Sequence, residues 1–125
     1  MTKHIMIVDD NPAVLDLYGG LFERRGYVVL AALDGASALD MLQKSTPSLF
    51  ILDVMMPGIN GIDLCQQLRA LPQHEETPVL ILSAWGDPKT IEQTFAAGAN
   101  DYLVKPVPPH DLLTRVRDLL GEGDR

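Results

Sequence analysis

Short apolar runs alternate with helical periodicities along the whole chain. Each run is only three to five residues long, which suits a strand better than a helix. Strands that alternate with amphipathic helices are typical of βαβ units around a parallel sheet. The five runs are Ile5–Val8, Tyr27–Ala31, Leu49–Leu52, Val79–Leu82 and the weaker Tyr102–Val104. All but the last are nearly continuous, which predicts strands covered by helices on both faces.

The segments between the runs have the apolar spacing of helices and recognisable start and stop signals. Asn11 and Asp34 are predicted N-caps, and Gly26, Gly98 and Gly121 are predicted stops. The fourth helix has a thin apolar stripe, Ile91 and Phe95 with alanines, so we expect it to be weakly anchored. The five helices are predicted to begin near Pro12, Asp34, Asn60, Asp87-Pro88 and Pro109.

Composition narrows the class of protein. A chain of 125 residues with 46% hydrophobic and 22% charged residues is an ordinary globular domain. Its net charge of −7 argues against direct nucleic-acid binding by this domain. No apolar run approaches the ~20 residues of a membrane span, and the N-terminus lacks signal-peptide features, so we expect a cytoplasmic protein without membrane contact. Cys65, the single cysteine, is expected to be a small core residue.

Polar side chains follow four of the predicted strands. Asp9 and Asp10 follow the first, Asp53 the third, Ser83 the fourth and Lys105 the fifth. Any one of them alone could be a helix cap or a turn residue. Because the carboxyl ends of parallel strands share one edge of the sheet, we expect all of them to meet in one crevice.

Three carboxylates in one crevice repel each other and require a cation to stay ionised. Carboxylate oxygens, a carbonyl and waters are the ligands that Mg²⁺ prefers, and such a site is often completed by a phosphate group. Lys105 would add a compact positive charge and Ser83 a hydroxyl donor for phosphate oxygens. Asp53 follows the central apolar run and is the best candidate for a nucleophile that forms an aspartyl phosphate.

Five spaced elements of the chain resemble the receiver domain of bacterial two-component response regulators, and the resemblance covers essentially the whole chain. It implies an α/β fold, the (βα)5 flavodoxin-like three-layer sandwich with a five-stranded parallel sheet in the order 2-1-3-4-5. It places the receiver domain at residues 1–121 and leaves 122–125 as a polar tail or the start of a linker. The elements are Ile7-Val8-Asp9-Asp10-Asn11, Asp53-Val54-Met55-Met56-Pro57-Gly58 with Gly61, Leu82-Ser83-Ala84, Gly98-Ala99-Asn100-Asp101-Tyr102, and Val104-Lys105-Pro106.

The resemblance also implies roles for the acidic residues. Asp53 is expected to accept a phosphoryl group from the phosphohistidine of a histidine kinase, from a phosphotransfer protein or from a small phosphodonor. Asp10 and Asp53 would bind Mg²⁺ directly, Asp9 through water and Met55 through its backbone carbonyl. Such a domain is a phosphoacceptor in signal transduction rather than an enzyme, and it catalyses only its own phosphorylation and dephosphorylation.

The remaining implied roles concern phosphate binding and the switch. Lys105 and Ser83 would hold the phosphoryl oxygens, and the Lys105-Pro106 peptide bond is expected to be cis. On phosphorylation the Ser83 hydroxyl would move toward the phosphoryl group and the Tyr102 ring would turn inward. A weakly anchored fourth helix suits such a two-state element.

Two features modify the expected behaviour. Met55 and Trp85 are large apolar residues two positions after Asp53 and Ser83, and we expect them to limit water access and make self-dephosphorylation slow. Val107-Pro108-Pro109 replaces the usual turn after Lys-Pro and leaves the entry angle of the fifth helix open.

The face formed by the fourth helix, fifth strand and fifth helix carries charges of both signs. In the family this face often pairs two receivers or binds an effector, although a solvated mixed-charge surface would have the same composition. The charged residues are Lys89, Glu92, Asp101, Arg115 and Asp118.

Two other functions would require residues that this sequence lacks. An enzyme of the haloacid-dehalogenase type would need a second aspartate, as acid/base, where Met55 stands. A nucleotide binder would need a glycine- or hydroxyl-rich loop in place of Asp9-Asp10-Asn11-Pro12. A receiver-like interaction module that acts without phosphorylation remains the alternative, and a phosphodonor assay on Asp53→Ala discriminates it.

Overall fold

A computed structural model describes residues 2–122 of the chain. It contains five strands and five helices in strict alternation, with a short 3-10 turn at Pro72–His74. The strands are β1 (His4–Val8), β2 (Val28–Ala32), β3 (Leu49–Leu52), β4 (Val79–Ser83) and β5 (Asp101–Val104). The helices are α1 (Pro12–Glu23), α2 (Gly35–Met41), α3 (Gly61–Arg69), α4 (Pro88–Ala96) and α5 (Pro109–Leu119).

All five strands pair in parallel, in the order β2-β1-β3-β4-β5. Alternate side chains of each central strand point to opposite faces, so that Ile5 and Ile7 join one hydrophobic core and Met6 and Val8 the other. The first core is completed by α1 and α5, and the second by α2, α3 and Ala97 at the C-terminal end of α4. This three-layer sandwich confirms the predicted flavodoxin-like fold.

The predicted helix caps are present. Asn11 Oδ1 accepts from Ala13 N at 3.0 Å, and Asp34 Oδ1 accepts from Ser37 N at 2.7 Å. Asn60 and Asp87 cap α3 and α4 in the same way. Each cap satisfies a main-chain donor of the first helical turn, which fixes where each helix starts after its strand.

Two sequence-based expectations are wrong. The apolar run at Tyr27–Ala31 was expected to be covered on both faces, but Val28 is 40% exposed; the position of β2 at the edge of the sheet agrees with the expected strand order. Phe95 was expected in the buried stripe of α4, yet it is 44% exposed and Thr94 is buried instead. The expectation that α4 buries little is confirmed, because Thr94 is its one fully buried residue.

The end of α5 is tied to the start of the chain. Tyr27 Oη donates to Glu122 Oε1, and Lys3 Nζ lies 3.5 Å from Glu122 Oε2.

The rest of the predicted tail, residues 123–125, lies outside the described residues. Within residues 2–122, no helix combines the length and the apolar composition that a membrane crossing requires. Cys65 is fully buried in the core, as expected.

Candidate phosphoacceptor site

The acidic residues predicted to meet do so at the carboxyl edge of the sheet. One carboxylate oxygen from each of Asp9, Asp10 and Asp53 lies within 4.8 Å of the other two. Asp9 and Asp10 follow β1, and Asp53 follows β3, whose pairing with β1 continues through a hydrogen bond from Asp53 N to Val8 O of 3.0 Å. The parallel pairing of β1 and β3 therefore sets the spacing of these carboxylates.

Lys105 brings a positive charge into this acidic group from the end of β5. Its Nζ lies 2.6 Å from Asp9 Oδ2 and 3.5 Å from Asp53 Oδ2. A hydrogen bond from Lys105 N to Ser83 O holds the main chain at this point. The Lys105-Pro106 peptide bond is cis, the geometry that the resemblance implies.

Asp9 is held from two directions, whereas Asp10 is open to solvent. Asp9 is 2% exposed, its Oδ1 accepts from Asn11 N at 2.9 Å and its Oδ2 accepts from Lys105. Asp10 is exposed and remains available to a ligand that enters from solvent.

The pKa values of Asp53 and Lys105 report the balance of charge in the site. Burial raises the pKa of Asp53, and the neighbouring Asp9 charge raises it further, against the opposing effects of Lys105 and the Met55 N–H. Burial by itself lowers the pKa of Lys105, but the hydrogen bond to Asp9 and the charge of Asp53 outweigh it, and the pKa is raised. The ionised form of Asp53 is therefore disfavoured in the metal-free site, whereas the protonated form of Lys105 is favoured.

The residues present fit a magnesium ion. Three carboxylates and one ammonium group leave a formal charge of −2, which one divalent cation would neutralise. The donor atoms are carboxylate oxygens, which suit a hard cation. The Met55 carbonyl as a fourth ligand stays a prediction.

Ser83 and Tyr102 are linked through the main chain of residue 85. Ser83 is fully buried, and its Oγ accepts from Trp85 N at 3.2 Å. Tyr102 Oη donates to the carbonyl oxygen of Trp85. Burial raises the pKa of Tyr102, while a hydrogen bond with Ser83 lowers it. The two predicted switch residues are therefore linked by hydrogen bonds to the main chain of the same residue in the β4–α4 loop.

Met55 and Trp85 lie two residues after Asp53 and Ser83, on the loops that follow β3 and β4. Met55 is 54% exposed and Trp85 is 52% exposed. Both lie on loops that follow strands bearing a site residue, which is where the sequence analysis expected them.

Two parts of the site were missed by the sequence analysis. The Trp85 main chain, which joins Ser83 to Tyr102, left no signal, because main-chain partners do not depend on side-chain identity. Gly61 was noted only as a motif residue, but it packs directly against the main chain of Asp53.

The fold and the site together define a class: a flavodoxin-like α/β domain with an acidic, lysine-containing cleft at the carboxyl edge of its sheet. Residues 5–117 match the family model described as the response regulator receiver domain. The chain belongs to this family, and its function is phosphorelay signalling in two-component systems.

The chain is also similar in sequence to named bacterial transcriptional regulators. The chain is 40% identical over 121 residues to the DNA-binding dual master transcriptional regulator RpaA of Synechocystis, covering 97% of this chain and 50% of RpaA. It is 38% identical over 120 residues to the phosphate regulon transcriptional regulatory protein PhoB of Rhizobium meliloti, covering 96% of this chain and 53% of PhoB. The chain thus spans about half the length of these relatives.

Solved structures give the same result. A response regulator from Chloroflexus aurantiacus superposes with a TM-score of 0.91 at 38% identity, covering 97% of this chain and 99% of the other. The receiver domain of the sensor histidine kinase PA1611 of Pseudomonas aeruginosa, described with a magnesium ion coordinated in the active-site cleft, superposes with a TM-score of 0.88 at 25% identity and the same coverage.

Proposed function

We propose that the chain accepts a phosphoryl group on Asp53 in a magnesium-dependent reaction, from a histidine kinase or a phosphotransfer protein. The observation that carries this proposal is the gathering of three carboxylates within 4.8 Å of one another, with Lys105 Nζ 2.6 Å from Asp9 and 3.5 Å from Asp53. Two of these carboxylates are buried, and one lysine leaves the three with a net negative charge that a further cation would neutralise.

The metal would be held by the acidic residues. Asp10, Asp53 and the Met55 carbonyl would bind it directly, and Asp9 would bind it through water. Magnesium supplies charge neutralisation for the phosphoryl oxygens. Asp10 is exposed and would be available to an ion that enters from solvent, whereas Asp9 is buried and already bonded to Asn11 and Lys105.

The transfer itself asks mainly for positioning. An Asp53 carboxylate oxygen attacks phosphorus, the P–N bond to the donor imidazole breaks, and its electron pair returns to the imidazole nitrogen. Lys105 binds an oxygen of the transferred group, and the Ser83 hydroxyl donates to another. Asp53 directly follows the central strand β3, whose residues are all buried, so the sheet places the nucleophile beside Asp9 and Asp10.

The output passes through Ser83 and Tyr102. Ser83 Oγ accepts a hydrogen bond from Trp85 N, and Tyr102 Oη donates to the Trp85 carbonyl oxygen. When the Ser83 hydroxyl turns toward the phosphoryl group, its bond to Trp85 N breaks. The β4–α4 loop and Tyr102 then move with it. Because α4 buries little, it can follow this movement at low free-energy cost.

The α4–β5–α5 face is the proposed partner surface. Arg115 Nη1 and Asp101 Oδ2 form an ion pair of 2.6 Å between α5 and β5, and a groove of about 460 Å³ runs beside it. The partner is an effector or a second copy of the receiver. We propose a cytoplasmic signalling domain over residues 1–121 that binds neither nucleic acid nor membrane and acts on no substrate besides its own phosphoaspartate.

The test is the intact mass of the protein after incubation with acetyl phosphate. With Mg²⁺ we expect one added phosphoryl group on the wild type and on Asp101→Asn, and none on Asp53→Asn. Without Mg²⁺ we expect none on any of the three. Asp101→Asn is the matched control, since it removes one carboxylate outside the acidic group. If the wild-type protein gains no phosphoryl group with Mg²⁺, the proposal is wrong and the alternative holds, a receiver-like interaction module that acts without phosphorylation.

A further inference from the structure

The first residue of α3 contacts the main chain that carries Asp53. Gly61 N donates to Val54 O at 3.0 Å. A Cβ added to Gly61 would lie 2.2 Å from the Asp53 carbonyl oxygen and 2.9 Å from Val54 Cα. Gly61 does not have a positive φ, so glycine is required here for space and not for backbone conformation.

The atoms that block a side chain at Gly61 belong to the main chain and cannot rotate away. An ordinary contact begins at 3.4 Å, so the Asp53 oxygen and the added carbon would have to separate by about 1.2 Å. The helix resists this movement, because Leu64, Cys65 and Leu68 of α3 are fully buried. Val54 and Met56 are buried too, but residues 53–60 belong to neither a strand nor a helix, so we expect this segment to yield before α3.

A displacement of this size would separate Asp53 from its partners. Asp9 and Lys105 are held on other strands and by each other, at 2.6 Å, and would stay in place. The Lys105–Asp53 distance is 3.5 Å already, so a shift of about 1 Å that lengthens it would exceed the roughly 4 Å limit of an ion pair.

We propose that Gly61 is a positioning residue for phosphoryl transfer. Its missing side chain lets α3 pack directly on the Asp53 main chain, and this contact fixes the Asp53 carboxylate relative to Asp9 and Lys105. The inference rests on the proposed role of Asp53 as phosphoacceptor and adds a residue that touches neither metal nor phosphate.

The test compares Gly61→Ala with Gly98→Ala. Gly98 is a matched control, because a Cβ there would lie 2.8 Å from Arg69 Cγ and its φ is +111°, at the opposite end of the sheet from Asp53. Both substitutions should lower the melting temperature. We expect that Gly61→Ala alone weakens Mg²⁺ binding about tenfold or more and slows phosphorylation by acetyl phosphate about 100-fold. Equal Mg²⁺ affinity and rate in the two variants would overturn the proposal.

A structural readout separates this proposal from the proposed function. In metal-free protein, the amide NMR signals of residues 53–55 should move in Gly61→Ala and stay in place in Gly98→Ala. If the wild type fails to accept phosphate but these signals move, the phosphoacceptor role fails and the positioning contact stands. Signals that do not move refute the contact.

A milder pair of variants applies if Gly61→Ala does not fold. Asn60 Oδ1 accepts from Asp63 N at 2.9 Å and fixes the start of α3. Asn60→Ala removes this cap, and Asn60→Ser retains a capping oxygen. We expect weaker Mg²⁺ binding in Asn60→Ala and recovery in Asn60→Ser, and unchanged binding in both would overturn the proposal.

Discussion

Lys105 is the counter-ion on which the metal-free site depends. Its Nζ contacts Asp9 and Asp53, whose side chains are only 2% and 9% exposed, so little water is available to replace the lysine charge. Lys105→Met keeps the aliphatic part of the side chain and removes the charge. We expect this variant to have a lower free energy of unfolding at pH 7 in the presence of EDTA.

The size of the loss follows from two limits. Removing one partner of a buried ion pair costs about 3–5 kcal/mol. The loss of stability also has an upper limit, because the variant can protonate one carboxyl group instead of keeping it charged. Protonating at pH 7 a carboxyl group with an ordinary pKa of 3.8 costs about 4 kcal/mol, at about 1.36 kcal/mol per pH unit. The Lys105 side chain is 19% exposed, so the site is not dry, and we expect a loss of about 2–4 kcal/mol.

The loss must depend on pH with a definite sign. The Lys105 charge favours ionised carboxylates and lowers the pKa of Asp53 relative to the variant. This stabilisation is present above the ordinary carboxyl pKa and is lost as pH falls. At pH 5 protonating one carboxyl group costs only about 1.6 kcal/mol. The difference in free energy of unfolding between wild type and variant should therefore be smaller at pH 5 than at pH 7.

The assay is urea unfolding at pH 7 and pH 5, in EDTA and in Mg²⁺. Magnesium should reduce the difference in free energy of unfolding between wild type and Lys105→Met at pH 7, because the ion neutralises the same carboxylates as Lys105. Lys89→Met, a change of the same charge at an exposed position of α4, is the control. Equal unfolding free energies for Lys105→Met and Lys89→Met at pH 7 in EDTA would refute the reasoning.

Two further predictions concern other parts of the molecule. Burial lowers the pKa of His74, so the free energy of unfolding should fall as pH drops below the ordinary histidine value of 6.5. In urea unfolding, this fall should be smaller for His74→Gln than for the control His110→Gln, which changes an exposed histidine. Met55 and Trp85 are expected to limit water access to phospho-Asp53, so Met55→Ala and Trp85→Ala should shorten its half-life; a half-life of only seconds in the wild type would contradict this.

The fold could be predicted because its main signals are local. A fully buried parallel strand such as Leu49–Leu52 has no polar position, and its start and end are visible in the sequence. The position of a strand in the sheet is not local: β2 and the central strands have similar apolar runs, but β2 lies at the edge. Phe95 shows the same limit, since periodicity alone does not say which side of α4 meets the sheet.

The site could be predicted as a set of side chains but not as a set of contacts. Asp9, Asp53 and Lys105 meet because parallel strands end at one edge, and that rule needs no coordinates. The main-chain contacts of Trp85 and the packing of Gly61 on Asp53 depend on loop paths. Such paths are set by the packed structure and leave no pattern in a single sequence.

The central claim is that Asp53 carries the phosphoryl group and that magnesium is required for its transfer. The most direct measurement is borohydride reduction of the protein after acetyl phosphate treatment, followed by peptide mass mapping, since reduction converts an aspartyl phosphate to homoserine. We predict homoserine at position 53 in samples that contained Mg²⁺ and none in samples that contained EDTA. Homoserine at any other aspartate, or equal yield at position 53 without the metal, would contradict the claim.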